Sequence, residues 1–439
     1  MAVPTATGRN HSDPKVVIAL VLYGLTRGVR ESRDLARQAE YEPGCQWLLG
    51  LGRINYHTLS DFVTEQAAAL DQLFVNFVHV LMAEDLVGLE RVAHDGTKIQ
   101  AAASRKSFKR EERLAECRKL AEEHLEALKQ EGAKLSKAKG AARQRAAQER
   151  LERIRRAQEE VKRQQAGKPP AERKQVRCSV TDPEARVMKQ GNGGFAPSHN
   201  VQLSSDSRHG VILAYDVTQA GEDSQQLKPA LDHIQQNTGR APDQILVDGG
   251  YTTRANILET AEKPTELIGS ISQDRSRKEL ERHGVAPAFM PEQFVFDAAT
   301  NSFTCPAGKL LPYKDSKRLV GATEKHYRAK PSDCQACPFH SQCCPKTVSN
   351  GRLVSQTVEH PAVAAFRRKM EKPEYRLIYR QRAQVAEFSN ACVKEKKGLR
   401  RFLRRGQQKV RAETAWACLS CNVSIWIRLK WKVSLQART

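Results

Sequence analysis

Gln244-Ile-Leu-Val-Asp-Gly-Gly-Tyr251 reads as a short apolar strand that ends in an acid and two glycines. A helix over Arg254–Ala261 and a strand over Glu266–Ile271 follow it. Upstream, His199–Asp206 and Gly210–Val217 read as a hairpin turning through Ser207-Arg208-His209, followed by a helix from about Asp223 to Gln236. Further upstream, Arg91-Val-Ala-His-Asp-Gly-Thr-Lys-Ile99 alternates in the manner of a strand and carries Asp95 in its interior. Strands that alternate with helices in this way predict an α/β fold.

Around this frame the chain is helical or charged. Asp13 is placed to cap a helix with Pro14 in its first turn and Val16, Leu20 and Leu25 on its apolar side. Arg27, Arg30, Arg33 and Arg37 decorate a shorter helix. Thr58 and Asp61 open another, with Phe62, Ala69, Leu73, Phe77, Val80 and Leu81 recurring at helical intervals. Arg105–Arg177 holds 23 basic and 12 acidic residues, hence +11, half of the +22 carried by the whole chain. Leu114, Ala121 and Leu128 repeat at seven residues, and Leu151, Ile154 and Val161 follow a similar seam. A helical hairpin with its turn in Gly132–Gly140 is expected, either a solvated coiled coil or an arm for DNA or a second subunit. From Ser272 to Thr357 the sequence is polar and rich in Pro, Lys and Cys and reads as an irregular insertion. A helix over Tyr375–Arg411 and a Trp-rich one near Trp416–Trp431 complete the chain.

With 439 residues, several compact units are expected. The boundaries are 1–88 for a helical N-terminal DNA-binding domain, 89–104 and 178–271 for two parts of the core, 105–177 for the basic hairpin, 272–370 for the Cys-rich insertion, and 371–439 for a helical part that completes the core. The net charge of +22 points to a polyanion, because Lys and Arg gain affinity for nucleic acid by releasing counterions. The longest apolar run, Val16–Leu25, is half of the roughly 20 residues needed to span a bilayer. No membrane partner is expected. The N-terminus lacks the basic start, apolar stretch and cleavage site of a signal peptide, so the expectation is a cytoplasmic, nucleoid-associated protein. Eleven scattered cysteines argue for thiols and one metal site rather than a disulfide framework. The sequence contains no Gly-rich phosphate loop and no Ser-His-Asp ordering, which sets aside nucleotide hydrolysis and acyl transfer.

Two strand aspartates and a late helical glutamate are the residue types a two-metal phosphoryl-transfer site requires, since three converging carboxylates repel unless cations lie between them. Each signal alone is ambiguous: Asp248 before Gly249-Gly250 also suits a turn, and Glu387 on a basic helix also suits a salt bridge. His94-Asp-Gly-Thr-Lys-Ile-Gln-Ala101, Val247-Asp-Gly-Gly-Tyr251, and Tyr379, Arg382, Glu387 and Lys394 occur in that order. The three blocks resemble the catalytic blocks of DDE insertion-sequence transposases, above all the eleven-eighty-two group, related to the insertion-sequence four/five superfamily. Arg186-Val-Met, Gly194-Phe195, His199-Asn-Val-Gln-Leu203, Asp216-Val-Thr218 and Leu399-Arg-Arg-Phe-Leu-Arg-Arg-Gly406 extend the likeness over nearly the whole chain.

The resemblance implies an RNase H-like mixed-sheet catalytic core in which Asp95, Asp248 and Glu387 hold Mg²⁺, or Mn²⁺ in its place. It implies hydrolysis at transposon ends and transfer of the freed strand to target DNA by at least a dimer. Arg382 departs from the commonest pattern, preceding Glu387 by five residues rather than four, which on a helix turns it about 140° away. Arg380 and Lys394, each seven residues from Glu387, share its face within about 20° on a regular helix. The resemblance implies DNA contacts from Tyr379 and Lys394, with Arg380 and Arg382 competing for the companion role. Cys305, Cys334, Cys337 and Cys343, with Cys344 or His340 as substitutes, could bind a structural Zn²⁺. The remaining cysteines, Cys45, Cys117, Cys178, Cys392, Cys418 and Cys421, show no metal spacing. Two rival readings are a catalytically silent DNA-binding relative, which intact acids at all three positions oppose, and a nuclease without strand transfer, which strand-transfer products would exclude.

Overall fold

The structure, a computed structural model, describes residues 13–131, 137–270, 275–346 and 350–436. It combines helices and sheets in two units, one comprising residues 1–243 and 381–439, the other residues 244–380.

The first unit is built on strands β1 (Arg91–Gln100), β2 (Arg186–Lys189), β3 (Phe195–Asp206) and β4 (Ile212–Thr218). β3 is antiparallel to β1, with Asp95 opposite Leu203 and Ile99 opposite His199. The long β3 pairs β2 near its start and β4 farther on. Because side chains alternate across a sheet, His94, Lys98, Asn200, Gln202 and Ser204 share one face, and Asp95, Val201, Leu203 and Tyr215 share the other. β4 is closed at Ile212 by Asn422, whose Oδ1 accepts from the Ile212 N–H at 2.9 Å and whose Nδ2 donates to its carbonyl at 2.8 Å. One side chain thus satisfies both backbone groups of a buried strand residue.

Asn422 lies on the terminal helix Gln407–Gln436, against which the helix Ala67–Ala83 packs. The helices of the first 88 residues therefore pack within the same unit as the sheet. Asp13 does cap the first helix, Pro14–Thr26. The helix expected to open at Thr58 starts instead at Tyr56 behind an Asn55 cap, and the chain breaks at Gln66 into two helices. Only Arg33 and Arg37 lie in the short helix Ser32–Gln38. Arg30 precedes it and donates to Glu413 at 2.8 Å and to the Gly398 carbonyl at 2.6 Å.

Glu111–Glu131 and Lys137–Ala166 form two long helices that pack on each other. Leu114, Ala121, Leu151, Ile154, Ala157 and Val161 are buried along their seam, while the outer faces carry ladders such as Arg118–Glu122 and Lys129–Glu126. Of the expected turn, residues 132–136 lie outside the described residues. Leu114 and Val161 cluster with Val176 and Cys178 at the root of the pair, where Arg186 of β2 is ion-paired with Glu160.

The second unit begins with β5 (Gln244–Val247) and β6 (Glu266–Gly269), which are parallel and connected through the helix Arg254–Ala261. The expectation of an irregular segment over 272–357 is wrong. Five antiparallel strands form there: β7 (Val295–Asp297), β8 (Ser302–Thr304), β9 (Leu310–Leu319), β10 (Ala322–Arg328) and β11 (Leu353–Glu359), in the order β11-β10-β9-β8-β7. Their core gathers Phe289, Met290, Phe294, Phe303, Leu311 and Tyr327 with Cys343 and Cys344. A register shift between Tyr313 and Asp315 interrupts the alternation that would mark β9 as a strand.

The expected helix Tyr375–Arg411 is also corrected. It runs over Pro373–Ala391, continues as a π turn at Cys392–Lys396 and ends before Gly398, whose φ is +68°. Phe402 then donates its N–H to the Gln100 carbonyl at 2.8 Å, tying the Leu399–Gly406 stretch to the end of β1.

Candidate functional site

Asp95 occupies the middle of β1, and its side chain lies on the face covered by the helix Pro373–Ala391. The helix is pinned there by Ser389, which donates to Ser205 at 2.7 Å between buried hydroxyls. The next residue, Asn390, donates from Nδ2 to Asp95 Oδ2 at 3.0 Å. Arg382 Nη1 stands 3.8 Å from Asp95 Oδ1, both side chains being about four-fifths buried. Lys394 is half-buried nearby. Burial lowers its pKa, the Asp95 and Glu395 carboxylates act against that shift, and Arg400 and Lys98 add to it. The carboxylate therefore sits among an amide and two cations.

The rest of the first motif serves the other face of the sheet. Lys98 pairs with Asp223 at 3.0 Å, and Asn200 and Gln202 donate to the other oxygen of Asp223 at 2.7 and 2.8 Å. His94 is fully buried, with Nδ1 2.9 Å from Ser204 Oγ, and burial drives its pKa down to about 4. The imidazole is thus neutral at physiological pH. A small cavity of about 10 Å³, lined by His94, Gln202, Asp216 and His233 among others, lies on this face.

Glu387 lies on the same helix as Arg382 and Asn390, is exposed, and makes no hydrogen bond or ion pair among the described residues. Asn390 is about 60° from it around a regular helix. The π turn overturns the helical arithmetic for Lys394: a wider turn rotates less per residue, so Lys394 lags behind the face of Glu387 and moves toward that of Asn390. This accounts for its electrostatic tie to Asp95.

In the second unit, Asp248 immediately follows β5, where Oδ1 accepts from the Gly250 N–H at 2.8 Å. The turn-forming role therefore exists alongside any other. Tyr379 donates to Ser270 at 3.2 Å. Arg380 is exposed with no hydrogen bond or ion pair among the described residues, so of the two arginines it is Arg382 that meets a site carboxylate.

The cysteines depart from expectation. Cys305, Cys334, Cys337, Cys343 and Cys344 line one cavity of about 30 Å³. Backbone N–H groups of Arg352 and Lys309 donate to the sulfurs of Cys334 and Cys305 at 3.3 and 3.2 Å. Yet Cys343 belongs to the hydrophobic core, and no group of three or more His, Cys, Asp or Glu among the described residues is arranged to hold a metal ion. The expected zinc set is therefore not preassembled. Cys392 and Cys421, taken from the sequence as isolated thiols, form a disulfide across a Cα separation of 6.2 Å, because the π turn and the terminal helix bring them together.

Among the described residues around Asp95, the carboxylate itself is the one group of the kind that ligates a hard divalent cation. The nitrogens beside it belong to a guanidinium, an ammonium and an amide, which repel or cannot coordinate a cation, and Asn390 Oδ1 is buried without a hydrogen-bond partner. Asn390 is the residue that sequence reasoning missed. Its signal was its position three residues after Glu387, on a neighbouring strip of the helix.

Residues 304–426 match the family model described as Transposase DDE domain. The matched segment starts within the antiparallel sheet of the second unit and includes Tyr379, Arg380, Arg382, Glu387, Asn390 and Lys394, but neither Asp95 nor Asp248. This match supports a DDE-type transposase, an enzyme class whose partner is DNA. A comparison with curated proteins gave no match. No helix among the described residues is long and apolar enough to cross a membrane.

Proposed function

We propose that the protein is an insertion-sequence transposase of the eleven-eighty-two group, with an RNase H-like core, that hydrolyses transposon ends and joins the freed 3′-hydroxyl to target DNA. Asp95, Asp248 and Glu387 are its catalytic carboxylates. The observation that carries this reading is Asp95 in mid-strand, contacted by Arg382 and Asn390 from the helix that also bears Glu387. Two Mg²⁺ or Mn²⁺ ions would activate the attacking oxygen and stabilise the leaving one. The chain's own part is to hold the carboxylates on rigid elements, with Arg382 and Lys394 supplying positive charge for a DNA phosphate. The basic helical hairpin and the N-terminal helices add sequence-independent affinity, and two copies bring two ends together. The cytoplasm, at the nucleoid, is where such chemistry belongs.

The test is incubation of the full chain with a repeat-end duplex and Mg²⁺. Cleavage followed by strand transfer is expected, and Asp95→Ala should reduce the rate by about a thousandfold or more while leaving duplex binding nearly intact. Cleavage that persists in Asp95→Ala would overturn the assignment, and cleavage without joined products would leave a nuclease.

A further inference from the structure

We infer that the stretch Leu399–Gly406 is a strap that binds the DNA backbone, with Arg401 and Arg405 reaching phosphates beyond the end of β1. The inference rests on the reading of the chain as an enzyme that acts on DNA, and it needs no metal ion. The strap is held from within. The Gln100 N–H donates to the Arg400 carbonyl at 3.3 Å, the Phe402 N–H returns to the Gln100 carbonyl at 2.8 Å, and Leu399 and Phe402 are buried. Buried Glu413 accepts from the backbone N–H groups of Leu403 and Arg404 at 3.2 and 2.6 Å, and its charge is answered by Arg30 and Arg404. At the far end, Asp182 accepts from the Gly406 N–H at 3.3 Å.

Exposure alternates along the strap: Phe402 and Arg404 turn inward, whereas Arg401, Leu403 and Arg405 are exposed. Arg405 is aimed by one bond, from Nε to the Ala102 carbonyl at 3.1 Å, and its terminal nitrogens have no partner among the described residues. The Arg401 side chain makes no hydrogen bond or ion pair among the described residues, nor do those of the exposed Arg105 and Lys106 just beyond Ala102. Cations that have an internal purpose look different. Arg400 is answered by Glu395, and Arg118 on the long helices by Glu122. Four cations without a counter-charge, on the two segments that meet past β1, gain affinity when a polyanion replaces their counterions. A backbone already fixed by buried contacts also loses little freedom on binding. Gln100 is five residues from Asp95, about 17 Å along a strand, so the strap holds the duplex away from the reacting atoms. Contacts of this kind position DNA and carry no sequence information.

The experiment measures binding of the full chain to a repeat-end duplex and to a duplex of unrelated sequence, by fluorescence anisotropy over a series of salt concentrations without divalent ions. Each phosphate contact contributes about 0.9 to the slope of log affinity against log salt. Arg401→Gln should lower that slope by about one, and Arg401→Gln combined with Arg405→Gln by about two, equally for both duplexes. Arg400→Gln, whose charge Glu395 already opposes, should lower it clearly less than Arg401→Gln does. Circular dichroism serves as the check on folding. An unchanged slope in the folded double variant overturns the strap. So does an effect of Arg400→Gln as large as that of Arg401→Gln, since affinity would then follow the count of charges alone. A loss confined to the repeat-end duplex overturns the backbone role. An unaltered chain that binds neither duplex refutes the DNA reading itself, an outcome distinct from the other three.

Discussion

β1 and β9 are both ten-residue strands, yet one carries the candidate chemistry and the other is almost all surface. In β1, Val92, Ala93, His94, Thr97 and Ile99 are buried and only Gln100 is exposed. In β9, Leu311 alone is buried and eight residues are exposed. A strand enclosed on both faces has side chains dictated by packing, and it can hold a carboxylate still. A strand open to water is held by its backbone ladder and by a few inward contacts. The comparison predicts that damage to the second sheet is severe only where it reaches the shared aromatic core.

The largest effect should come from Tyr327→Ala on β10. Tyr327 is fully buried, packs edge-on against Phe303 at 4.9 Å and donates to Asn301 at 2.9 Å. Its loss should cost about 3–5 kcal/mol and speed hydrogen exchange across β7–β11 while β1 and β3 keep their protection. Equal loosening of both sheets would erase the contrast.

A somewhat smaller effect concerns His94, whose pKa falls from 6.5 to about 4 on burial. Between those values the unfolded chain binds the proton and the folded one does not, so stability declines as pH drops from 6.5 and stops declining near 4. The total is about 3 kcal/mol at the acid end. His94→Gln should flatten that part of the acid-denaturation profile, and an unaltered slope would show that the titrating group lies elsewhere.

The smallest effect is expected from Lys317→Thr on β9, an exposed residue paired across the ladder with Glu324. Unfolding free energy should change by less than about 0.5 kcal/mol. A larger loss, measured by chemical denaturation, would mean that this surface is not the passive one it looks.

The same contrast explains what was legible in the sequence. Gln244–Val247 and Arg254–Ala261 fall where the pattern put them, because a short apolar run and a Thr253 cap are local signals. The seam of the helical hairpin was readable from its sevenfold spacing. β9 and β10 were not: their inward residues are few, charged and polar residues fill most of the rest, and a bulge shifts the register. Asp95 could be picked out because it stands in a strand next to a recognisable motif, whereas Asn390 makes its contact across 295 residues of sequence. The π turn was invisible because nothing in Cys392–Lys396 departs from helical composition, and so the side on which Lys394 emerges was misjudged. The disulfide escaped for a related reason, since Cys392 and Cys421 become neighbours only through that turn and the packing of the terminal helix.

The paired helices that rise from Arg186 have a geometric consequence. Thirty residues in Lys137–Ala166 give a rod about 45 Å long. One turn of duplex is about 34 Å. Any double helix touched at both the foot and the free end of this rod is therefore spanned over more than a full turn. Shortening the rod by whole heptads should shrink a nuclease footprint in steps while leaving the β1 carboxylate where it is.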